Sequence, residues 1–336
     1  MNKLVLLLSC ALIVILGSAA AFPPELGGEA PREEEVSSNE SGEILIIMYH
    51  GLTKGSPKEP YMRSIADFKR DLRILYDKGY RLISMADFLD NNIAVPAGTT
   101  PVIFTFDDGY DTSFSLERDE NGQLALKKDC AADIMNEFYK EHPDFGRTGV
   151  FFICTTGMAP FVGDGTLAER FKYLTDLGFE LGNHTGSHDG MRGMSAREIT
   201  KDMAEVEKMV RDNLPGYKMR VAAYPYGHLP SKNCFEAVLK GEYDGVSYDY
   251  DLVLRERKCG YSSLPYSWDF DKFNVPRVRA SNNSTEDLHW CIENYEKHPE
   301  KRYISDGDPD VISIPAAFAE KLNLWRLAGK VIKVVD

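Results

Sequence analysis

Two adjacent carboxylates, Asp107 and Asp108, sit in the stretch TFDDGY, residues 105 to 110. Neighbouring negative charges are costly unless a cation lies between or beside them. Further along, GNHTGSH sets His184 and His188 four residues apart, with Gly186 between them. That spacing brings two imidazoles to one side of a helical turn or tight loop, and the glycine favours the loop. Two imidazoles and one carboxylate make a three-ligand set with an open position, the form a catalytic metal site takes. The second carboxylate is then left as a base beside a water that the metal acidifies. The ordinary alternatives are an Asx turn or helix cap at the two acids and two surface histidines after a strand. Either pair alone fits those alternatives. The two pairs together favour the metal.

For the pairs to meet, elements must carry them to one place. EILIIMYH, from Glu43, is an apolar run ending in Tyr49 and His50. SIADFKRDLRILYDKGY has helical spacing at Phe68, Leu72, Leu75 and Tyr76, and Gly79 ends it. YRLIS and PVIFTF follow as strands, LKKDCAADIMNEFYKEH as a helix and TGVFFIC as a core strand. TLAERFKYLTDLGFELGNH repeats helix, glycine and strand; SAREITKDMAEVEKMVRDNL is a long helix before the strand VAAYPYG. Apolar strands alternating with amphipathic helices mean a parallel sheet or barrel. In such folds functional groups gather at the carboxyl ends of strands. Tyr49-His50, Asp107-Asp108, Asn183-His184 and Tyr226-Gly227-His228 all fall there.

The 336 residues carry a formal net charge of −13 and 43% hydrophobic residues, which suits one large domain or two small ones. The acidic balance argues against a nucleic-acid partner. Lys3, the apolar run Leu4 to Ala21 and the small residues Ala19 to Ala21 read as a signal peptide cleaved before Phe22. The rival is an uncleaved anchor, because the run is just long enough to span a bilayer. Either way the body is expected to be secreted or otherwise extracytoplasmic, with residues 4–21 as a membrane tether in the second case. The Pro-, Gly- and Glu-rich residues 22–42 read as a flexible acidic linker. The catalytic domain is assigned to 43–300 and a C-terminal extension packed on it to 301–336. Without Cys10 the cysteines number five and lack a C-x-x-C, which indicates neither a zinc knuckle nor a full disulfide framework. Cys259 could pair with Cys234 or with Cys291.

TFDDGY, the HTGSH run and YPYG, in that order, resemble the first three motifs of the polysaccharide deacetylases, the NodB-homology domain of carbohydrate esterase family four. MYHG and GYRLISMADF are similar to it as well, and the resemblance covers Ile44 to Gly227. It implies an α/β fold, a distorted (β/α) barrel. It implies a hydrolase that removes acetyl groups with one divalent ion, zinc or else cobalt, nickel or iron. The bond cut is a carbon–nitrogen bond, or an ester in an O-acetyl esterase. By position, Asp107 is the general base, and Asp108, His184 and His188 hold the metal. Thr185 steadies the loop between the histidines. Pro225 and Tyr226 match the third motif, the N–H of Tyr226 helping to hold the oxyanion. His50, Pro225 and Tyr226 line the substrate mouth. Peptidoglycan, chitin-like chains, poly-N-acetylglucosamine and acetylxylan are the substrates such a protein takes.

The chain departs from the pattern in two places. Many members carry an arginine two residues before the motif proline, orienting the base; here Ala223 stands there, with Arg220, Arg277 or Arg279 as replacements. The histidine that serves as general acid has no clear match; His289 is the candidate, against an ordinary half-exposed histidine. Asp244, Asp249 and Asp251 are candidates for the fourth motif. These gaps open a second function, a catalytically weakened relative that binds glycan, although a binder has no physical need for both acids. Tyr261, Tyr266, Trp268 and Phe270 offer rings for a sugar face or for the core.

Overall fold

The computed structural model describes residues 38–157, 159–257, 261–281 and 286–335. Seven short strands form its centre: β1 (Ile44–Tyr49), β2 (Thr100–Phe106), β3 (Val150–Ile153), β4 (Glu180–Asn183), β5 (Val221–Ala223), β6 (Leu252–Glu256) and β7 (Val275–Arg279). Each lies parallel to the next in the chain. β1 also pairs with β7, Ile47 beside Val278, so the sheet closes into a barrel. The expected (β/α) barrel is therefore the fold, and its closure is what brings the strand ends around one mouth.

Side chains alternate between the two faces of each strand, and two cores result. Leu45, Ile47, Phe104 and Phe151 point outward against the helices, meeting Phe68, Leu72 and Leu75 of α1 (Ile65–Asp77). Ile44, Ile46, Ile103, Phe152 and Leu254 fill the interior. After α1 come α2 (Met85–Leu89), α3 (Ala131–Glu141), α4 (Leu167–Asp176), α5 (Ala196–Asn213), α6 (Phe235–Leu239) and α7 (Leu288–Lys297). Reciprocal capping boxes start α4 (Thr166 with Glu169) and α5 (Ser195 with Glu198). Among the described residues no helix is long and apolar enough to cross a membrane.

The interior core continues through the base of the barrel, where Tyr303, Ile312, Ile314, Leu322 and Leu327 plug it. Val311–Pro315 and Val331–Val335 pair as a two-stranded parallel sheet there. The chain enters beside it: Asn39 bridges Ile304, and the Glu40 N–H bonds the Ser313 carbonyl at 2.7 Å. Residues 38–42, which composition groups with the linker, are thus tied to the base. The apolar run Leu4 to Ala21 and Cys259 lie outside the described residues. Cys130, Cys154 and Cys234 are buried free thiols.

Candidate functional site

β2 delivers both acids to the mouth. The Asp107 N–H bonds the Tyr49 carbonyl at 3.0 Å, prolonging the ladder by one residue. At Asp108 the backbone turns left-handed, φ 69°, and Gly109 follows at φ 67°. A continuing strand would send successive side chains to opposite faces; the reversal lets both carboxylates enter one site. A Cβ at Gly109 would also crowd Pro160 at 3.0 Å.

Asp107 meets its cation inside the barrel. Arg277 on β7 donates from Nη1 to Oδ1 at 2.6 Å and from Nη2 to Oδ2 at 2.5 Å, and Nη1 also bonds Thr105 Oγ1 at 3.0 Å. Burial pushes the Asp107 carboxyl up, but Arg277, His184 and His50 outweigh it and hold the group below the usual carboxylate range. Of the three arginines offered by the sequence, Arg277 is therefore the one against the acid. Arg220 lies toward the base, paired with Asp90 and Asp251. Arg279 sits over the Tyr61 ring and pairs with Glu256.

His184 is fully buried at the end of β4, and its Nδ1 donates to the Ala223 carbonyl at 2.9 Å. A carbonyl only accepts, so the proton is on Nδ1 and the Nε2 lone pair faces the site. The loop to His188 is tied at every residue. The Asn183 side chain accepts the Thr185 N–H at 2.8 Å, Thr185 Oγ1 accepts the His188 N–H at 3.1 Å, and Asp202 on α5 accepts the Ser187 N–H at 2.7 Å. Gly186 passes so close to α5 that a Cβ would lie 2.5 Å from the Glu205 carboxylate.

The result is a converging trio. Asp108 Oδ1 lies 3.0 Å from Nε2 of His188 and 3.4 Å from Nε2 of His184. All three ligand atoms lie within 4.8 Å of one another. Asp108 Oδ1 is buried and satisfied by no well-formed hydrogen bond, an expensive state that a cation would relieve. Two imidazole nitrogens and a carboxylate oxygen suit a divalent ion of the zinc type, so these residues fit a metal. Burial pushes Asp108 up, and His188, His184 and His50 draw it well below the ordinary value. The Asp108 carboxylate raises His188, while burial lowers His184.

These groups line a cavity of about 480 Å³ at the mouth, together with His50, Tyr110, Tyr226 and Glu256. His50 Nε2 stands 3.9 Å from both Asp107 Oδ2 and Asp108 Oδ2. Pro225 is buried beneath, and Tyr226 projects its ring into solvent. Asp108, Thr185, His188 and Tyr226 are four of the eight non-glycine residues with positive φ among those described. Thr185 is β-branched, so the conformation is strained there, and such strain gathers at functional sites.

Other sequence candidates do not reach the mouth. His289, proposed as the general acid, starts α7 and points at α1, with Nε2 3.1 Å from Asp71 and 3.2 Å from Arg63. It does not line the cavity, because the helix after β7 turns it toward the outer layer. Asp249 pairs with Lys240 and Asp251 with Arg220, both away from the site, and Asp244 lies in a hairpin turn. Tyr266 is buried, Phe270 joins the base core and Trp268 is exposed at the base. The chain there descends from the top of β6 to the foot of β7, so those rings end up far from the acids. The tyrosines lining the mouth are Tyr61, Tyr110 and Tyr226, with Tyr224 buried behind them. Tyr110 closes the TFDDGY stretch, while Tyr61 lies in a loop without any pattern that singles it out.

The mouth of the barrel thus gathers two aspartates and two histidines whose acceptor atoms converge on one point. Residues 94–243 match the polysaccharide deacetylase family. No curated protein sequence matches it. Among solved structures it is similar to the Streptococcus pyogenes deacetylase PplD in complex with acetate: 20% identity, TM-score 0.53, covering 74% of this chain and 98% of that one. IcaB from Ammonifex degensii is similar at 18% identity and TM-score 0.53, over 76% of this chain and 100% of that one. A polysaccharide deacetylase from Bacillus cereus is similar at 16% identity and TM-score 0.52, over 75% and 68%. These likenesses are of fold.

Proposed function

We propose that the protein is an extracytoplasmic, metal-dependent polysaccharide deacetylase that hydrolyses acetyl groups from an amino-sugar polymer. The observation that carries the reading is the unlike treatment of two adjacent acids: Asp107 clamped by Arg277, Asp108 facing two imidazole nitrogens. Asp108, His184 and His188 would hold the ion. When bound, a zinc-like ion would supply a Lewis acid for the acetyl carbonyl. Asp107, fixed by the guanidinium fork, is placed to take the proton from an attacking water. The backbone N–H of Tyr226 adds a donor for the developing oxyanion. His50 is the remaining imidazole at the mouth and is placed to return a proton to the leaving nitrogen. Tyr61, Tyr110 and Tyr226 offer faces for sugar rings.

Arg277 supplies the base-orienting cation missing at Ala223, which removes one ground for the weakened-binder alternative. The deciding experiment is acetate release from peptidoglycan, chitin oligomers, poly-N-acetylglucosamine and acetylxylan, with and without chelator. Release from an N-acetylated polymer that chelator abolishes and added zinc restores is the expected result. Tight glycan binding without acetate from any of the four would overturn it.

A further inference from the structure

Large apolar side chains are exposed chiefly at the two ends of the barrel. At the base, Trp268 is 63% exposed, Leu324 63%, Trp325 89%, Val331 61% and Val334 55%. The chain between them is continuous in space: Ser267 bridges Leu322, the Trp268 N–H bonds the Lys321 carbonyl at 2.9 Å, and the Val331 N–H bonds the Asp310 carbonyl at 2.8 Å. Two tryptophans so open to water on one face are not explained by packing, since the core beneath them is already filled by Tyr266, Leu322 and Leu327. Exposed apolar clusters of this kind mark a partner surface.

Two further observations indicate the partner. The N-terminal part of the chain enters the body here: Glu40 is bonded to Ser313, one strand away from Val331–Val335. Beyond Ser38 lie sixteen residues, 22–37, and then the apolar run Leu4 to Ala21. Sixteen residues reach at most about 55 Å fully extended, and the body's attachment point for any tether formed by that run is at the base, where Asn39 and Glu40 are bonded to Ile304 and Ser313. Residues 316–335 also carry Lys321, Arg326, Lys330 and Lys333 against the single acid Glu320, in a chain whose net charge is −13. Lys321 pairs with Asp269 and Lys330 with Asp310, while Arg326 and Lys333 are exposed.

We propose that this base is a membrane-docking surface. Trp268, Trp325 and Leu324 enter the interfacial layer of a lipid bilayer, with Arg326 and Lys333 at headgroup level. Docked in this way, the barrel axis stands off the membrane and the catalytic mouth, at the opposite strand ends, faces outward toward its polymer. The proposal is independent of the chemistry at the mouth.

The test uses the chain from Phe22, which keeps every buried residue among those described, the first being Glu40. It is sedimented with vesicles of equal parts phosphatidylcholine and phosphatidylglycerol, beside the double variant Trp268→Ala, Trp325→Ala. Both side chains are exposed, so the fold is retained, and acetate release from a soluble oligomer should be unchanged. The parent should sediment with vesicles, and the variant's partition should fall about tenfold or more, as expected for losing two interfacial aromatics. Failure of the parent to bind, or equal binding by both, overturns the proposal. So does a parent dimer in lipid-free solution that the variant abolishes while vesicle binding persists, which would make the face a contact between copies.

Discussion

At the mouth, buried Asp107 and half-buried Asp108 face a guanidinium and three imidazoles. At the base, buried Glu40 and half-buried Glu180 face mainly backbone N–H groups: Glu40 accepts from Ser313 and Asp306, Glu180 from Met85 and Ala86 at the start of α2. Burial costs all four the same kind of desolvation, but the outcomes are opposite. Cations hold the mouth acids below their usual range, while Glu40 and Glu180 are each pushed up to about 7. Neutral dipoles satisfy a carboxyl group but offset its charge poorly. Where charge is needed for chemistry, the barrel provides cations. At Glu40 and Glu180, which join segments of the base, backbone N–H groups serve instead.

The sharpest way to break this contrast is Asp107→Asn, which keeps the shape but cannot take a proton. Turnover should fall about 10²–10⁴-fold, with metal content by atomic absorption unaltered. Asp108→Asn should instead lose metal first, and excess metal should restore part of its activity. Metal loss in Asp107→Asn with retention in Asp108→Asn would mean the two roles are interchanged.

Next in size is Arg277→Gln. It leaves a buried carboxylate without its partner, a change that costs about 3–5 kcal/mol in stability. Denaturant midpoints should drop and turnover with them. Arg277→Lys should recover part of the stability but little of the turnover, because an ammonium cannot form the two-pronged clamp.

The base has its own pH signature. Glu40 binds its proton in the folded state up to about 7, against an ordinary 4.5. Between those values the unfolded chain holds fewer protons than the folded one, so stability falls as pH rises through that window. Glu180 acts with the same sign. Denaturation midpoints across this range should show the slope, and Glu40→Gln should flatten it. An identical slope in the variant would show that Glu40 is not the group responsible. The smallest effect is expected from Arg279→Ala, which removes the cation over Tyr61; a face contact of that kind is worth about 0.5–1 kcal/mol. KM should rise a few-fold with kcat unchanged.

Much of the mouth was legible because its chemistry is local in sequence. The two acids are adjacent, the histidines are four apart, and each pair follows an apolar run whose end could be placed. Arg277 was harder. Alternation puts Val275, Arg277 and Arg279 on one face of β7, so two arginines point inward, and only the depth reached after barrel closure selects Arg277. His289 misled because a histidine near the chain's C-terminal part says nothing about which side of a helix it will occupy. Composition alone points to the richest aromatic segment, Tyr261 to Phe270, as the source of rings for a ligand. Aromatic density there reflects the base plug, whereas the mouth uses single tyrosines from separate loops. The base itself was unreadable, since its small sheet is held by pairings between chain segments that share no motif.

The closure of the barrel also decides when the protein can fold. Ile47 on β1 lies beside Val278 on β7, so the chain must be made as far as Val278 before that pairing forms. The base adds a still longer link, from Asn39 to Ile304. Contacts of such sequence separation are slow to form and come late. A growing chain can pair one edge of β1 with β2 early, but the edge that meets β7 stays unpaired until most of the chain has been synthesised. That delay exposes β1 to aggregation. It also leaves the chain threadable, the state that a polypeptide led by an apolar N-terminal run needs if it is to cross a membrane before it folds.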